Sequence, residues 1–387
     1  MLRVRIPSEH GRFSGLATVV LETKHDLKKV ASEFQIEGRF LDAIPYGSGH
    51  INDTYASRFE RAATTVRYIH QRINHSIFKE PEKLMENIER VTSYAREQIL
   101  AAGGDPLRET LTLIPTTDGK SYYRSAEGNY WRTYVFIENA RTYDQVEDVR
   151  HVYAANKAFG EFQKMLSTLP GGRLHETIPG FHHTRKRFEA FNRALGSDTM
   201  NRAREVKEEI DFVMARENET SVVVDLLASG DIPERVTHND TKLNNVMIDD
   251  VTGEGVCVID LDTVMPGSAL YDFGDSVRIG ASTAPEDERD LEKVTVDLDM
   301  FQRLTAGYLD AARSFLTLTE IEYLPFSARL MTFECGMRFL ADYLSGDVYF
   351  KIHRESHNLD RCRTQFKMVA DMERLTDRMS SIVDACK

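Results

Sequence analysis

The spacing of apolar residues changes character near residue 140, and no single class of secondary structure accommodates both parts of the chain. Before that point apolar and polar residues alternate in short runs: AIPYGSGHINDTYASRF (43–59), TTVRYIHQRIN (64–74), LTLIPTT (111–117) and NYWRTYVFIEN (129–139). A period of two sends successive side chains to opposite faces, so these runs read as strands, the first broken by a glycine-containing turn. Two helices interrupt them. LKKVASEFQI (27–36) is short and amphipathic. PEKLMENIERVTSYAREQILAAGG (81–104) carries Leu84, Ile88, Val91, Ala95 and Ile99 on one stripe and stops at Gly103–Gly104. Beyond residue 140, Val146, Val149, Val152, Tyr153, Phe159, Phe162 and Leu166 recur at helical spacing, and 201–229, 300–317, 325–344 and 359–384 also read as helices. The exception is VMID and VCVIDL, which read as a hairpin around TGEG. The 387 residues suffice for two lobes. The expectation is an α+β fold: an extension (1–25), a β-rich N-terminal lobe (26–139) and a helical C-terminal lobe (140–387).

Charge and cysteine usage exclude several functions. The formal net charge is −12, with no basic tract and no basic amphipathic helix, so no nucleic-acid partner is expected. Cys257, Cys335, Cys362 and Cys386 form no CxxC pair and do not cluster with histidines at zinc spacing, which reads as reduced thiols. The N-terminal MLRVRIPSEHGRFSG lacks the apolar run of a signal peptide, and no window reaches the length of a membrane span. A cytoplasmic protein without a membrane partner is expected. The oligomeric state is not written in the sequence, and a monomer is compatible with it.

The chemistry concentrates in HNDTKLNNVMIDDVTGEGVCVIDLD (238–262). Asp240 follows His238 by two positions. Lys242 lies two beyond Asp240, Asn245 five beyond, and Asp260 closes the apolar run VCVI. Moving a γ-phosphoryl group needs a carboxylate to orient the attacking hydroxyl and take its proton. It also needs hard oxygen ligands for a divalent metal, a cation on the transferring group and a backbone clamp on the other phosphates. This stretch supplies the first three. A loop of this composition standing alone could be a solvated turn; the aspartate at the strand end argues against that.

The pattern H-x-D-x-K-x-x-N, followed by an apolar strand ending in aspartate, resembles the catalytic loop and metal-binding aspartate of the protein-kinase-like fold. In the form HNDTKLNN with IDLD it is similar to the aminoglycoside phosphotransferase and choline kinase group. PYGSGHIN, NHSIF, VIDLDTVMPGS, LYDFGDSVRIGAS and ECGMRFLADYL extend the resemblance, within that group, to the N-acetylhexosamine 1-kinases. The resemblance implies a two-lobed fold: a small N-terminal lobe with an antiparallel sheet, and a large, mainly helical C-terminal lobe. It implies ATP and Mg2+ as cofactors and a small-molecule sugar as partner, phosphorylated at its anomeric hydroxyl. It places Asp240 as catalytic base, Lys242 on the transferring phosphoryl, Asn245 and Asp260 as metal ligands, and His50, Arg338 and Tyr349 at the sugar. Asp272-Phe273-Gly274 spells the metal motif of protein kinases, but it lies beyond the Met265-Pro266-Gly267 turn. Asp272 and Asp275 read instead as capping or charging the first turn of a helix.

The nucleotide is expected at Gly47, Ser48 and Gly49, where glycines let backbone N–H groups approach phosphate, although an ordinary hairpin turn would use the same residues. A kinase's third strand carries a cation for the α- and β-phosphates. Here VRYIHQRIN offers uncharged Gln71 or, shifted by one, Arg72; the helical partner would be Glu89. Glu138, in FIEN, is expected beside adenine. Trp131 reads as core packing. Glu334, Arg338 and Asp342 share one helical stripe, which reads either as an internal ion-pair ladder or as acids holding Arg338 toward sugar oxygens. A kinase of choline, homoserine or an aminoglycoside remains open, as does an inactive nucleotide-binding module. A protein kinase is less expected, because HNDTKLNN with IDLD resembles the small-molecule kinases of this fold rather than protein kinases.

Overall fold

The computed structural model describes residues 24–47, 51–146 and 148–387. Nearly all of the expected extension (1–25), and Ser48, Gly49 and His50 of the glycine turn, lie outside the described residues. A five-stranded antiparallel sheet contains β1 (Arg39–Pro45), β2 (Asp53–Arg61), β3 (Thr64–Ile73), β4 (Tyr123–Arg124) and β5 (Tyr130–Val135), in the spatial order β1-β2-β3-β5-β4. Successive rungs across its centre are Asp53–Arg72–Trp131, Thr54–Gln71–Arg132 and Tyr55–His70–Thr133. Side chains alternate along a strand, so the first and third rungs share one face and the second takes the other.

The first face is covered by α1 (Leu27–Ser32) and the residues after it. Leu27, Val30 and Phe34 pack with Tyr55 and Trp131, and Ala31 packs with Phe59 and Tyr68. Burying Leu27, Val30 and Phe34 contributes about 1.5–3 kcal/mol each. His70 is fully buried on this face, between the Ser57 hydroxyl at 2.7 Å and the Thr133 hydroxyl at 2.8 Å. LTLIPTT, expected to be a strand, is not one. Only Leu113 bridges to Tyr134 and Thr116 to Phe34. Pro115 has no N–H for a ladder, and Thr116 closes a turn by accepting from the Lys120 N–H.

Chain contacts divide the protein into two compact units. The first holds the sheet: residues up to Ile77, with Leu113–Phe136. The second holds Phe78–Thr112 and Ile137–Lys387. Helices α2 (Pro81–Ala101) and α3 (Pro106–Glu109) fall within the 26–139 stretch but belong to the second unit. Asn87 of α2 shows why. It is fully buried, donates to the His175 and Val264 carbonyls and accepts from the His175 N–H. Ile88, Val91 and Ala95 are buried on the same helix.

The second unit continues with α4 (Val149–Leu166), α5 (Thr184–Ser197), α6 (Lys207–Met214), α7 (Val222–Ser229), α8 (Ala269–Gly280) and α9 (Leu298–Ala312). Then follow α10 (Leu318–Glu322), α11 (Leu324–Ser345), α12 (His357–Arg374) and α13 (Thr376–Cys386). Its short strands form two small sheets. One orders β6 (Ala140–Arg141), β8 (Val246–Asp249) and β9 (Gly255–Val258); the other pairs β7 (Arg235–Thr237) with β10 (Met265–Gly267). Helix α8 packs on α11 through Gly274, where any Cβ would collide with the Ser327 carbonyl. The helix expected over 201–229 is broken into α6, α7 and two 3-10 turns; Arg216 folds back to donate to the Phe212 carbonyl at the end of α6. The helix expected over 359–384 breaks at Leu375, where the Thr376 hydroxyl takes the Met372 carbonyl. Among the described residues no helix is long and apolar enough to cross a membrane.

Candidate active site

The loop from His238 to Asn245 leaves β7 and enters β8, and both ends are pinned. The Asn239 backbone is left-handed, at φ 64°, a conformation asparagine tolerates better than most residues. Its side chain donates to the Thr237 and Thr263 carbonyls. His238 donates from Nε2 to the Ile259 carbonyl at 2.8 Å and accepts at Nδ1 from the Asp240 N–H. These bonds tie the loop to the end of β9.

Asp240 is partly exposed. Its Oδ1 lies 2.8 Å from Lys242 Nζ. Its Oδ2 accepts from Asn245 Nδ2 at 3.0 Å, and the same amide donates to the Asp240 carbonyl at 2.7 Å. Partial burial works to lower the Lys242 pKa, but the carboxylates of Asp240, Asp275 and Asp260 outweigh it and hold the ammonium above its usual range.

The β8–β9 hairpin brings the two expected metal ligands together. Val246 pairs with Val258, and Ile259 N–H donates to the Asn245 carbonyl at 2.9 Å. Asn245 and Asp260 therefore stand at the same end of the hairpin. Asp260 is left-handed, at φ 58°, which turns the chain out of β9. An amide oxygen and a carboxylate are hard donors, the type that suits Mg2+ or Ca2+.

Ser268 is the N-cap of α8; Asp272 lies in the first turn, as the sequence expectation allowed, whereas Asp275 lies beyond it. Both acids reach back to the loop. Asp272 accepts from the backbone N–H groups of His238 (2.8 Å) and Asn239 (2.7 Å), and from Gln163 Nε2 (2.5 Å). Burial raises its pKa against those donors. Asp275 accepts from the Thr241 N–H at 3.1 Å and pairs with Arg278. Burial works to raise it, yet the Arg278 guanidinium, His182 and Lys242 bring it below the usual carboxylate range. The N–H groups of His238, Asn239 and Thr241, on either side of Asp240, are thus hung on one helix, which fixes the loop without touching the Asp240 carboxylate.

The stripe on α11 is neither a ladder nor a pair of acids gripping an arginine. Glu334 accepts from His182 Nδ1 (2.9 Å) and the Thr184 hydroxyl (2.6 Å). His182 also donates from Nε2 to the Asn239 carbonyl at 3.0 Å. Asp342 accepts from the N–H groups of Val348, Tyr349 and Phe350 and from Asn358. It shapes the turn that carries the exposed Tyr349 ring. Arg338, half-buried, forms no ion pair with either acid among the described residues. Its guanidinium carbon lies 5.4 Å from the Phe181 ring centre, 5.5 Å from Phe350 and 6.0 Å from Tyr349. The sequence did not single out His182 or Arg187. Arg187 lies 5.8 Å from the same Phe181 ring; burial and the Arg338 charge push its pKa down. Both sit in FHHTRKRF, which matches no motif; only the fold reveals their partners.

In the first unit, Gly47 is described at φ 80°, a conformation natural to glycine. The Gln71 amide oxygen accepts from Arg132 Nε at 3.0 Å, and its nitrogen donates to the Thr54 hydroxyl at 3.1 Å. Arg72 is on the opposite face, bonded to Asp53 at 2.6 Å. Glu89 is exposed on α2. Glu138 is exposed just past the passage between units, and its carbonyl accepts from Arg108 at 2.7 Å.

A model of the phosphotransferase enzyme family (APH) matches residues 42–305. An amicoumacin kinase in complex with AMP-PNP, Ca2+ and Ami is similar over 88% of this chain and 92% of its own, at 13% identity and a TM-score of 0.55. A spectinomycin phosphotransferase in complex with ADP and spectinomycin is similar over 91% and 97%, at 13% identity and a TM-score of 0.54. A choline kinase from Cryptosporidium parvum is similar over 89% and 92%, at 13% identity and a TM-score of 0.51. At such identities the likeness is one of fold, the protein-kinase-like α+β arrangement. The family match spans more than half of the sequence and includes the whole 238–262 stretch: the chain belongs to the APH phosphotransferase enzyme family.

Proposed function

We propose that the protein transfers the γ-phosphoryl group of ATP to the anomeric hydroxyl of an N-acetylhexosamine, giving the 1-phosphate and ADP. The observation that carries the phosphotransfer reading is the company of Asp240. A carboxylate with one lysine at 2.8 Å and one amide at 3.0 Å stands on the loop that enters a hairpin with Asn245 and Asp260 at the same end. Asp240 would hold the sugar hydroxyl in line and accept its proton. Lys242 would leave Asp240 for the phosphoryl oxygens as negative charge gathers there. Asn245 and Asp260 would hold Mg2+, whose chemistry is to neutralise the triphosphate. One carboxylate and one amide leave the remaining positions of such an ion to phosphate oxygens and water, the habit of Mg2+ in kinases.

The sugar specificity rests on the sequence resemblance and on Arg338. A guanidinium among Phe181, Tyr349 and Phe350 offers several donors to ring oxygens, and the rings offer an apolar surface to a pyranose. The same cluster weighs against choline. An aromatic cage for a quaternary ammonium needs its rings free of cations, and here they surround one belonging to the protein. Phosphorus NMR of the product from a mixed-sugar incubation with ATP and Mg2+ tests the reading. An anomeric phosphate coupled to H1 is expected from GlcNAc or GalNAc. ADP release that is independent of any sugar, or a phosphomonoester on a primary hydroxyl, would refute it.

A further inference from the structure

Two imidazole rings grip the peptide unit between Asn239 and Asp240, one from each side. On its N–H side, His238 accepts at Nδ1 from the Asp240 N–H and donates from Nε2 to the Ile259 carbonyl. That pattern uses one ring proton. On its carbonyl side stands His182, with Nε2 at 3.0 Å from the Asn239 oxygen and Nδ1 at 2.9 Å from Glu334 Oε1. We propose that His182 is a buried imidazolium that acts as a positioning residue for Asp240, and that phosphotransfer is lost when this ring gives up a proton. The catalytic consequence rests on the phosphotransfer reading above.

Both atoms facing the His182 ring are acceptors. A carbonyl oxygen has no proton to give, so Nε2 must supply one. Glu334 also accepts from the Thr184 hydroxyl at 2.6 Å. Burial works to raise the Glu334 pKa, yet His182, Arg338 and Thr184 bring it below the usual carboxylate range. Glu334 is therefore a carboxylate, and Nδ1 must supply the second proton. A ring with both protons is a cation. His182 and Glu334 are 8% and 1% exposed, and a charge buried so far is kept by a bonded partner of opposite sign.

The groups around the ring suit a cation. From α11, Glu334 faces it directly, and the Arg338 charge acts on Glu334. From α8, the Tyr271 ring centre lies 5.4 Å away, and Asp275 feels the His182 charge. At the start of α5, His183 and Arg187 feel the charge of Glu334. Two carboxylates thus attend the imidazolium. Of its two neutral forms, one turns the Nδ1 lone pair on the Glu334 carboxylate and the other turns the Nε2 lone pair on the Asn239 carbonyl. Either way a buried hydrogen bond becomes a meeting of two acceptors. The ring is pushed from its place and its grip on the 239–240 peptide loosens. Asp272 and Asp275 still hold the Asn239 and Thr241 N–H groups, so Asp240 is the residue left to turn.

Nitrogen NMR of the full chain carrying 15N-histidine reads the ring directly, with His182→Gln identifying its signals. Two protonated ring nitrogens are expected at pH 7. Toward alkaline pH, loss of a ring proton and the fall in kcat should share one midpoint in the wild type. Glu334→Gln removes the paired charge and should move that fall to lower pH by about one unit or more, with the KM for ATP unchanged. A single protonated nitrogen at pH 7 in the wild type would overturn the imidazolium. Separate midpoints, or a Glu334→Gln profile that coincides with the wild type, would overturn the positioning role, because a merely structural partner leaves the pH profile in place. A doubly protonated ring in a protein that phosphorylates no sugar would refute the phosphotransfer reading, and with it the catalytic consequence, while the imidazolium stood.

Discussion

Asp240 is held by the two groups that would quench it as a base if they stayed: the Lys242 ammonium and the Asn245 amide. The reading above resolves this by giving each a second task that begins when substrates arrive. On that reading Lys242 would be drawn to the phosphoryl oxygens and the Asn245 oxygen would serve a metal, so the carboxylate would be released only when the reactants are present. The loop backbone does not depend on these contacts, since Asp272 and Asp275 carry it. Asp240→Asn should therefore fold, keep its loop and bind nucleotide as before. Its kcat should fall by about 10²–10⁴-fold, the usual contribution of a positioned base. Steady-state ADP release with titration of ATP measures both quantities. A folded variant that lost ATP binding would contradict the role given to Asp240.

Helix α8 and the central strands differ in how much of them the sequence exposes. Strands β2, β3 and β5 are legible because alternation reports a face directly. LTLIPTT alternates as well, but Pro115 lacks the donor a ladder needs. Helix α8 was legible as a helix with Asp272 in its first turn, yet the partners of its acids were not: a spacing of three puts Asp272 and Asp275 on one side of a helix without saying what stands opposite. Glu334, Arg338 and Asp342 failed in the same way, since their true partners are His182, an aromatic cluster and the 348–350 backbone. Strand β3 also carries a pH dependence of its own. Burial lowers the His70 pKa from 6.5 to about 4. The folded chain then resists a proton that the unfolded chain accepts. His70 thus costs no stability above pH 6.5 and progressively destabilises the fold as pH falls toward 4, by about 3 kcal/mol when the descent is complete. Denaturant unfolding at pH 7, 5.5 and 4 should show His70→Gln losing less stability on acidification than the wild type. Parallel pH profiles would remove His70 from the account.

At the scale of the whole molecule, the chain passes between its two units three times, after Ile77, Thr112 and Phe136. The groups read as nucleotide-binding fall in different units: Gly47 and Gln71 in the first, Asn245 and Asp260 in the second. A nucleotide without metal should engage only the first set. Hydrogen exchange can follow this, because a ligand at about 100 times its Kd stabilises the part it binds by about 2.7 kcal/mol. That slows amides exposed by opening of the same part by about a hundredfold. ADP with EDTA should protect β1, β2, β3 and β5 and leave 238–262 near its free rate. Adding Mg2+ should extend protection to Asn245, Val246, Ile259 and Asp260, and chelation should reverse that second set alone. Full protection of 238–262 by ADP in EDTA would mean that the hairpin end grips the nucleotide directly. The metal roles of Asn245 and Asp260 would then have to be given up, while the place of Asp240 on the loop would stand.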